Sequence, residues 1–177
     1  MQCPSCKKSA LVPTKLADGL PSFMCQSCEG HLIEVLSYRF WSDRGSAAAR
    51  DSVNLVASEP MDSKHALVCP QCQKVMTKYR MSDAVSNRID LCGNCGRFWI
   101  DRGEWALVRS LNLDTNLTKI FNEPWQKAIR QSQASLAKSH RLRETLNDEE
   151  YQRLVDLREW INGHALKEDI LDFLNSG

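Results

Sequence analysis

At 177 residues, with 42% hydrophobic and 25% charged side chains, the chain has the composition of one or two ordinary globular domains. Its formal net charge of +1 excludes, at the level of the whole chain, the strongly basic balance that marks many nucleic-acid binders. No stretch is apolar enough to predict a membrane span and the opening MQCPSCKKSALVP has no apolar leader, so the expected location is the cytoplasm.

The first predicted element is a metal knuckle. All eight cysteines fall into Cys-x-x-Cys pairs: Cys3/Cys6, Cys25/Cys28, Cys69/Cys72 and Cys92/Cys95. A two-residue gap turns both sulfurs toward one centre, and a hairpin of suitable length brings a second pair to complete a tetrahedron. Residues 7–24 and 73–91 are such hairpins. Two sites are therefore expected, Cys3, Cys6, Cys25, Cys28 and Cys69, Cys72, Cys92, Cys95, each holding one Zn2+ with no open coordination position. Iron would accept the same four thiolates. Disulfides suit a secreted mini-protein, and a thioredoxin-like redox pair needs one such turn at a helix start, so both fit four pairs poorly. Two filled sites would carry about −2 each and bring the net charge to about −3.

The predicted fold class is small α+β: two zinc ribbons, which are antiparallel hairpins with zinc knuckles, followed by a short α-helical C-terminal region. Residues 1–45 form the first ribbon, 46–65 a partly helical linker, 66–112 the second ribbon and 113–177 the helical region. Within residues 42–64 the alanines Ala47–Ala49 suggest a short helix, and a flexible stretch there would let the ribbons move separately.

The second ribbon repeats the first. Setting Cys3 on Cys69 and Cys25 on Cys92 gives offsets of 66 and 67, and both first turns read Cys-Pro-x-Cys. Both repeats also contain Arg-Phe-Trp-x-Asp-Arg-Gly, at Arg39–Gly45 and Arg97–Gly103, further from the knuckle in the first. The stretch LCGNCGRFWIDRGEW resembles the signature of transcription-factor-IIB-type zinc ribbons found as small bacterial domains, C-x-x-C-G-G-x-W-x-D-x-G-E. Cys92, Cys95, Gly96, Trp99, Asp101, Gly103 and Glu104 match in place, and Arg97 replaces the second glycine. In the first repeat Gly30 keeps that glycine, Glu34 approximates the aspartate and Leu32 stands at the tryptophan position. Trp41 and Asp43 would fill those roles only across an insertion. The resemblance implies a zinc-ribbon fold over about residues 1–45 and 66–110 and no particular activity.

Phe98, Trp99 and Ile100 read as a strand leaving the knuckle, and Asp101 as the cap of a helix opened by Arg102-Gly103-Glu104. An acid–base pair of Asp101 and Glu104 is disfavoured because no nucleophile accompanies it. His31 and His65 lie close enough to cysteines to compete for metal, but the complete cysteine pairing leaves them at the surface or beside the sulfurs.

From Asp114 the pattern turns helical. Glu123-Pro124 predicts a helix start, with Trp125, Ile129 and Leu136 along one stripe. Asn147-Asp148-Glu149-Glu150 predicts a capped helix carrying Tyr151, Leu154, Leu157 and Ile161 that stops at Asn162-Gly163. A last helix presents Leu166, Ile170, Phe173 and Leu174. Lys127, Arg130, Lys138, Arg141 and Arg143 make the first of these helices basic, and acids dominate the other two.

The expected function is non-enzymatic: a zinc-binding recognition or adaptor protein docking on a protein partner in a transcription or regulatory complex. One alternative is nucleic-acid binding through the locally basic set Lys74, Lys78, Arg80, Arg88, Arg97, Arg102 and Arg109. Another is a redox- or zinc-responsive switch in which oxidant ejects metal. No catalytic residue and no cofactor other than the two metals is expected.

Overall fold

The computed structural model describes residues 1–16, 19–45 and 59–176, in two compact units, Met1–Arg130 and Gln131–Gly177. Six strands lie in the first unit: β1 (Leu11–Leu16), β2 (Leu20–Cys25), β3 (His31–Glu34), β4 (Thr77–Arg80), β5 (Arg88–Cys92) and β6 (Arg97–Ile100). Helices α1 (Val35–Gly45) and α2 (Glu104–Ser110) follow β3 and β6, and a 3-10 turn spans Leu117–Phe121. Helix α3 (Glu123–Thr145) crosses the unit boundary, and α4 (Asp148–Gly163) and α5 (Lys167–Asn175) complete the chain.

The two cysteine-bearing repeats are halves of one antiparallel sheet, ordered β1-β2-β3-β6-β5-β4. The seam is β3 on β6, with His31 opposite Ile100, Leu32 opposite Trp99, Ile33 opposite Phe98 and Glu34 opposite Arg97. Leu32 and Trp99 are equivalent positions of the two repeats, so the local twofold axis passes through this pair. Directly opposed side chains in an antiparallel ladder stand only about 4.5–5.5 Å apart at Cβ. Two tryptophans there would compete for the same space, which explains the leucine in the first repeat.

Strand alternation sends Ile33 and Phe98 to one face and Leu32 and Trp99 to the other. On the first face Ile33, Phe98, Ile89 and Leu20 meet Tyr38 of α1, Trp105 and Val108 of α2, and Leu117 and Ile120 of the 3-10 turn. Tyr38 ties this core together, donating to the Asp114 carbonyl at 2.8 Å and accepting from Leu117 N–H at 2.8 Å. Leu113, Leu117 and Ile120 are buried in this first unit, so the region after residue 112 begins as part of the sheet's core. At the sheet's edge the Gln126 side chain takes both backbone groups of Arg80, accepting at 3.2 Å and donating at 2.9 Å. These contacts satisfy groups that an edge strand otherwise leaves free.

The heptapeptide shared by the repeats adopts two structures. Arg97–Ile100 is strand β6, whereas Arg39–Gly45 lies inside α1. Trp41 packs beside Tyr38 and Trp105 and does not stand in for Trp99. The position equivalent to Trp99 is Leu32, without an insertion. Residues 46–58, including Ala47–Ala49, lie outside the described residues. The end of the predicted linker is attached to the second repeat: Met61 N–H donates to the Arg102 carbonyl at 3.0 Å, and Ser63 N–H to Asp101 Oδ2 at 2.8 Å.

In the second unit, α4 carries a complete capping box. Asn147 Oδ1 accepts from Glu150 N–H at 2.9 Å, and Glu150 Oε2 accepts from Asn147 N–H at 3.1 Å. The expected helix stop holds, with α4 ending at Gly163.

Candidate metal centres

Both predicted cysteine groups assemble. Cys3, Cys6, Cys25 and Cys28 form one cluster and Cys69, Cys72, Cys92 and Cys95 the other, each able to hold a metal ion. In the first, Sγ atoms approach at 3.6 Å (Cys3 to Cys28) and 3.5 Å (Cys6 to Cys25). In the second the separations are 3.5 Å (Cys69 to Cys95) and 3.3 Å (Cys72 to Cys92). A tetrahedron with metal–sulfur bonds of about 2.3 Å has edges of about 3.8 Å, so the sulfurs stand near the required spacing and the donor set fits the ion.

The four turns share one backbone feature. The residue after each second cysteine is in the left-handed region: Lys7 (φ 56°), Glu29 (59°), Gln73 (59°) and Gly96 (63°). That conformation closes the turn, as Glu29 N–H reaches the Cys25 carbonyl at 2.8 Å, Gln73 N–H that of Cys69 at 2.9 Å and Gly96 N–H that of Cys92 at 3.0 Å. In three of the four knuckles a side-chain-bearing residue accepts the strain that glycine avoids.

The thiols within each cluster differ in how readily they ionise. Burial pushes the Cys3 thiol up to about 11 and that of Cys69 up to about 12, and raises Cys28 and Cys92 as well. Burial also acts on Cys25, but hydrogen bonds from Ser9 and from the backbone N–H groups of Cys28 and Ser27 outweigh it and bring the thiol down to about 6. Cys72 falls to about 6, chiefly through the Lys74 N–H. Without an ion, each cluster thus holds a readily ionised thiol beside others that resist ionisation. A divalent cation would convert all four to ligands.

The clusters share one face of the sheet, and Trp99 joins their surroundings. Cys3, Cys25, Cys69 and Cys92 are buried with Leu11, Leu32, Leu67, Met76 and Trp99. The Trp99 ring lies on Gly30, just after the first cluster's last cysteine, and a Cβ on Gly30 would come within 2.2 Å of Cζ2. Gly30 therefore admits the other repeat's tryptophan. Trp99 Nε1 donates to Asp101 Oδ1 at 2.7 Å.

That bond corrects the assignment of Asp101 as a helix cap. The cap position of α2 is Gly103 (φ 79°), with no side-chain cap bond. The Asp101 carboxylate is committed to Trp99 and Ser63, while Glu104 reaches back and accepts from Asp101 N–H at 2.9 Å. Asn87 donates to the other Glu104 oxygen at 3.3 Å. Burial pushes the Glu104 carboxyl up to about 8. Asp62, Asp101 and Glu104 form a third cluster, an acidic one, in which these bonds brace the start of α2 and the chain around Ser63. Sequence spacing carries no sign of Asp62 or Asn87 in this role, because the fold brings them from separate segments.

Neither His31 nor His65 belongs to a cysteine cluster. His31 Nδ1 pairs with Ser22 Oγ at 3.1 Å, and His65 is exposed. The basic set of the second repeat is partly consumed. Lys78 contacts Asp90 at 2.8 Å, Arg88 contacts Asp62 at 3.2 Å and Arg97 lies 3.9 Å from Glu34. Lys74 and Arg102 are exposed, and Arg80 and Arg109 are half-buried. No helix among the described residues is long and apolar enough to cross a membrane. Comparison with protein-family models, curated proteins and solved structures gives no match.

Proposed function

We propose that this chain is a non-enzymatic, two-zinc recognition protein that docks on a protein partner through surfaces its ribbons hold in shape. The observation that carries the reading is the use of all eight cysteines in two closed groups embedded in one sheet. Four thiolates leave zinc no position for water or substrate, so each ion would hold structure. Thiolate ligands also favour zinc over the harder divalent ions. The zinc-ribbon resemblance of LCGNCGRFWIDRGEW agrees with this reading and suggests a transcription or other regulatory complex.

Protein docking is favoured over nucleic-acid binding because Lys78, Arg88 and Arg97 each face a carboxylate. A phosphate backbone would have to compete with those internal partners. The metal-loaded chain, with a Cys92→Ser/Cys95→Ser control, should retain a specific protein partner on affinity purification. It should show no salt-sensitive binding to duplex or single-stranded DNA or RNA near physiological ionic strength. Nucleic-acid affinity that falls steeply with salt and is lost on replacing Lys74 and Arg102 would replace this reading.

A further inference from the structure

The second unit, Gln131–Gly177, consists of helices with almost no interior. Among its described residues Ile161 is the buried one, whereas Leu136, Leu154, Leu157, Trp160, Leu166, Phe173 and Leu174 are exposed. No residue of α5 is fully buried, and Phe173 is 78% exposed. Helices as short as α5 are marginal unless an apolar face is covered.

The same unit contains a matching receptor. A groove of about 310 Å³ runs between α3 and α4, with Leu142, Tyr151 and Leu154 among its apolar lining and Lys138 and Arg158 as its cations. Among the described residues neither cation has an ion-pair partner. The α3 wall from Ser135 to Leu142 measures about 12 Å at the helical rise, and the nine residues of α5 about 14 Å. Helix α5 carries Glu168, Asp169 and Asp172 beside its apolar residues. Length, polarity and charge therefore agree between groove and helix.

We infer that α5 of one copy seats in the α3–α4 groove of a second copy, and reciprocally, so that the chain pairs with itself through its C-terminal unit. Each chain supplies one groove and one helix, so a twofold axis makes the contact twice. The acids of α5 meet the partner's Lys138 and Arg158, and Phe173 and Leu174 enter the apolar lining. A chain's own α5 follows α4 after a short turn at His164–Leu166, with Leu166 N–H held by His164 Nδ1 at 3.0 Å; Ile170 and Leu171 are half-buried there, and Phe173 and Leu174 remain exposed.

Sedimentation velocity of the full metal-loaded chain over a concentration series tests this. The wild type should form a dimer. Phe173→Glu/Leu174→Glu should weaken it by on the order of tenfold or more, with the helical circular dichroism unchanged. Two charge-reversed chains, Lys138→Glu/Arg158→Glu and Glu168→Lys/Asp169→Lys, should each be monomeric alone and should form a heterodimer when mixed. A monomeric wild type at every concentration would overturn the inference, whether α5 folds into its own groove or the groove serves another protein. A dimer that survives the Phe173/Leu174 change, or reversed chains that fail to pair, would equally overturn it.

Discussion

Trp99 is the side chain on which the two repeats converge. It is fully buried, packs on Gly30 and donates its indole N–H to Asp101. Trp99→Phe keeps most of the apolar volume and leaves Asp101 without that donor, so it should cost about 1–3 kcal/mol in a denaturant melt. Gly30→Ala should cost about 1–3 kcal/mol by forcing the ring aside, although nothing else in the first knuckle changes. A Gly30→Ala chain as stable as the wild type would show that the ring does not rest there. Glu104 yields a pH prediction of definite sign. Its carboxyl is raised from the ordinary value of 4.5 to about 8, so between those values the folded chain holds a proton that the unfolded chain releases. Stability from this group is therefore lost as pH rises through that window, by at most about 1.4 kcal/mol per pH unit, and levels off above it. Melts between pH 6 and 9 should show a shallower fall for Glu104→Gln. Parallel slopes for the two proteins would mean that Glu104 does not carry the pH dependence.

At the scale of elements the central feature is the β3–β6 seam, which makes two modules into one sheet. Because Trp99 of one repeat lies on the knuckle of the other, loss of the first metal should loosen the second. In Cys3→Ser/Cys6→Ser, transfer of metal from the second cluster to a chelator should be on the order of tenfold easier, equivalent to a coupling of about 1.4 kcal/mol. Equal transfer in variant and wild type would mean that the repeats act independently. The knuckles and the hairpins were legible in the chain because cysteine spacing and turn chemistry are local. The seam was not, since strand partners are chosen by faces that meet only after folding, and the one hint was the leucine at position 32. Arg39–Gly45 shows the same limit: of nearly the same seven residues, the first four form a strand after one knuckle and all seven lie in a helix after the other, as tertiary context decides. The helices of the second unit were readable through their caps and apolar spacing, with Asn147 and Glu150 closing the expected box.

For the whole molecule, the predicted divisions at residues 45, 65 and 112 follow composition, whereas compactness divides the chain at Arg130. The difference comes from Leu113, Leu117 and Ile120, which lack cysteines nearby and yet complete the sheet's core. The candidate metal ligands were fully legible, because a pair of thiols two residues apart carries its geometry with it. The acidic group around Glu104 was not, because its members meet only through the packing of α2 on the chain near Ser63. The central requirement is that both four-cysteine clusters hold zinc within a single sheet. Elemental analysis of the purified chain tests it most directly: two zinc ions per chain are expected, one or fewer in Cys92→Ser/Cys95→Ser, with unfolding when a strong chelator removes both. A wild-type chain that is fully folded and reduced while carrying no metal, or that carries iron in place of zinc, would contradict it.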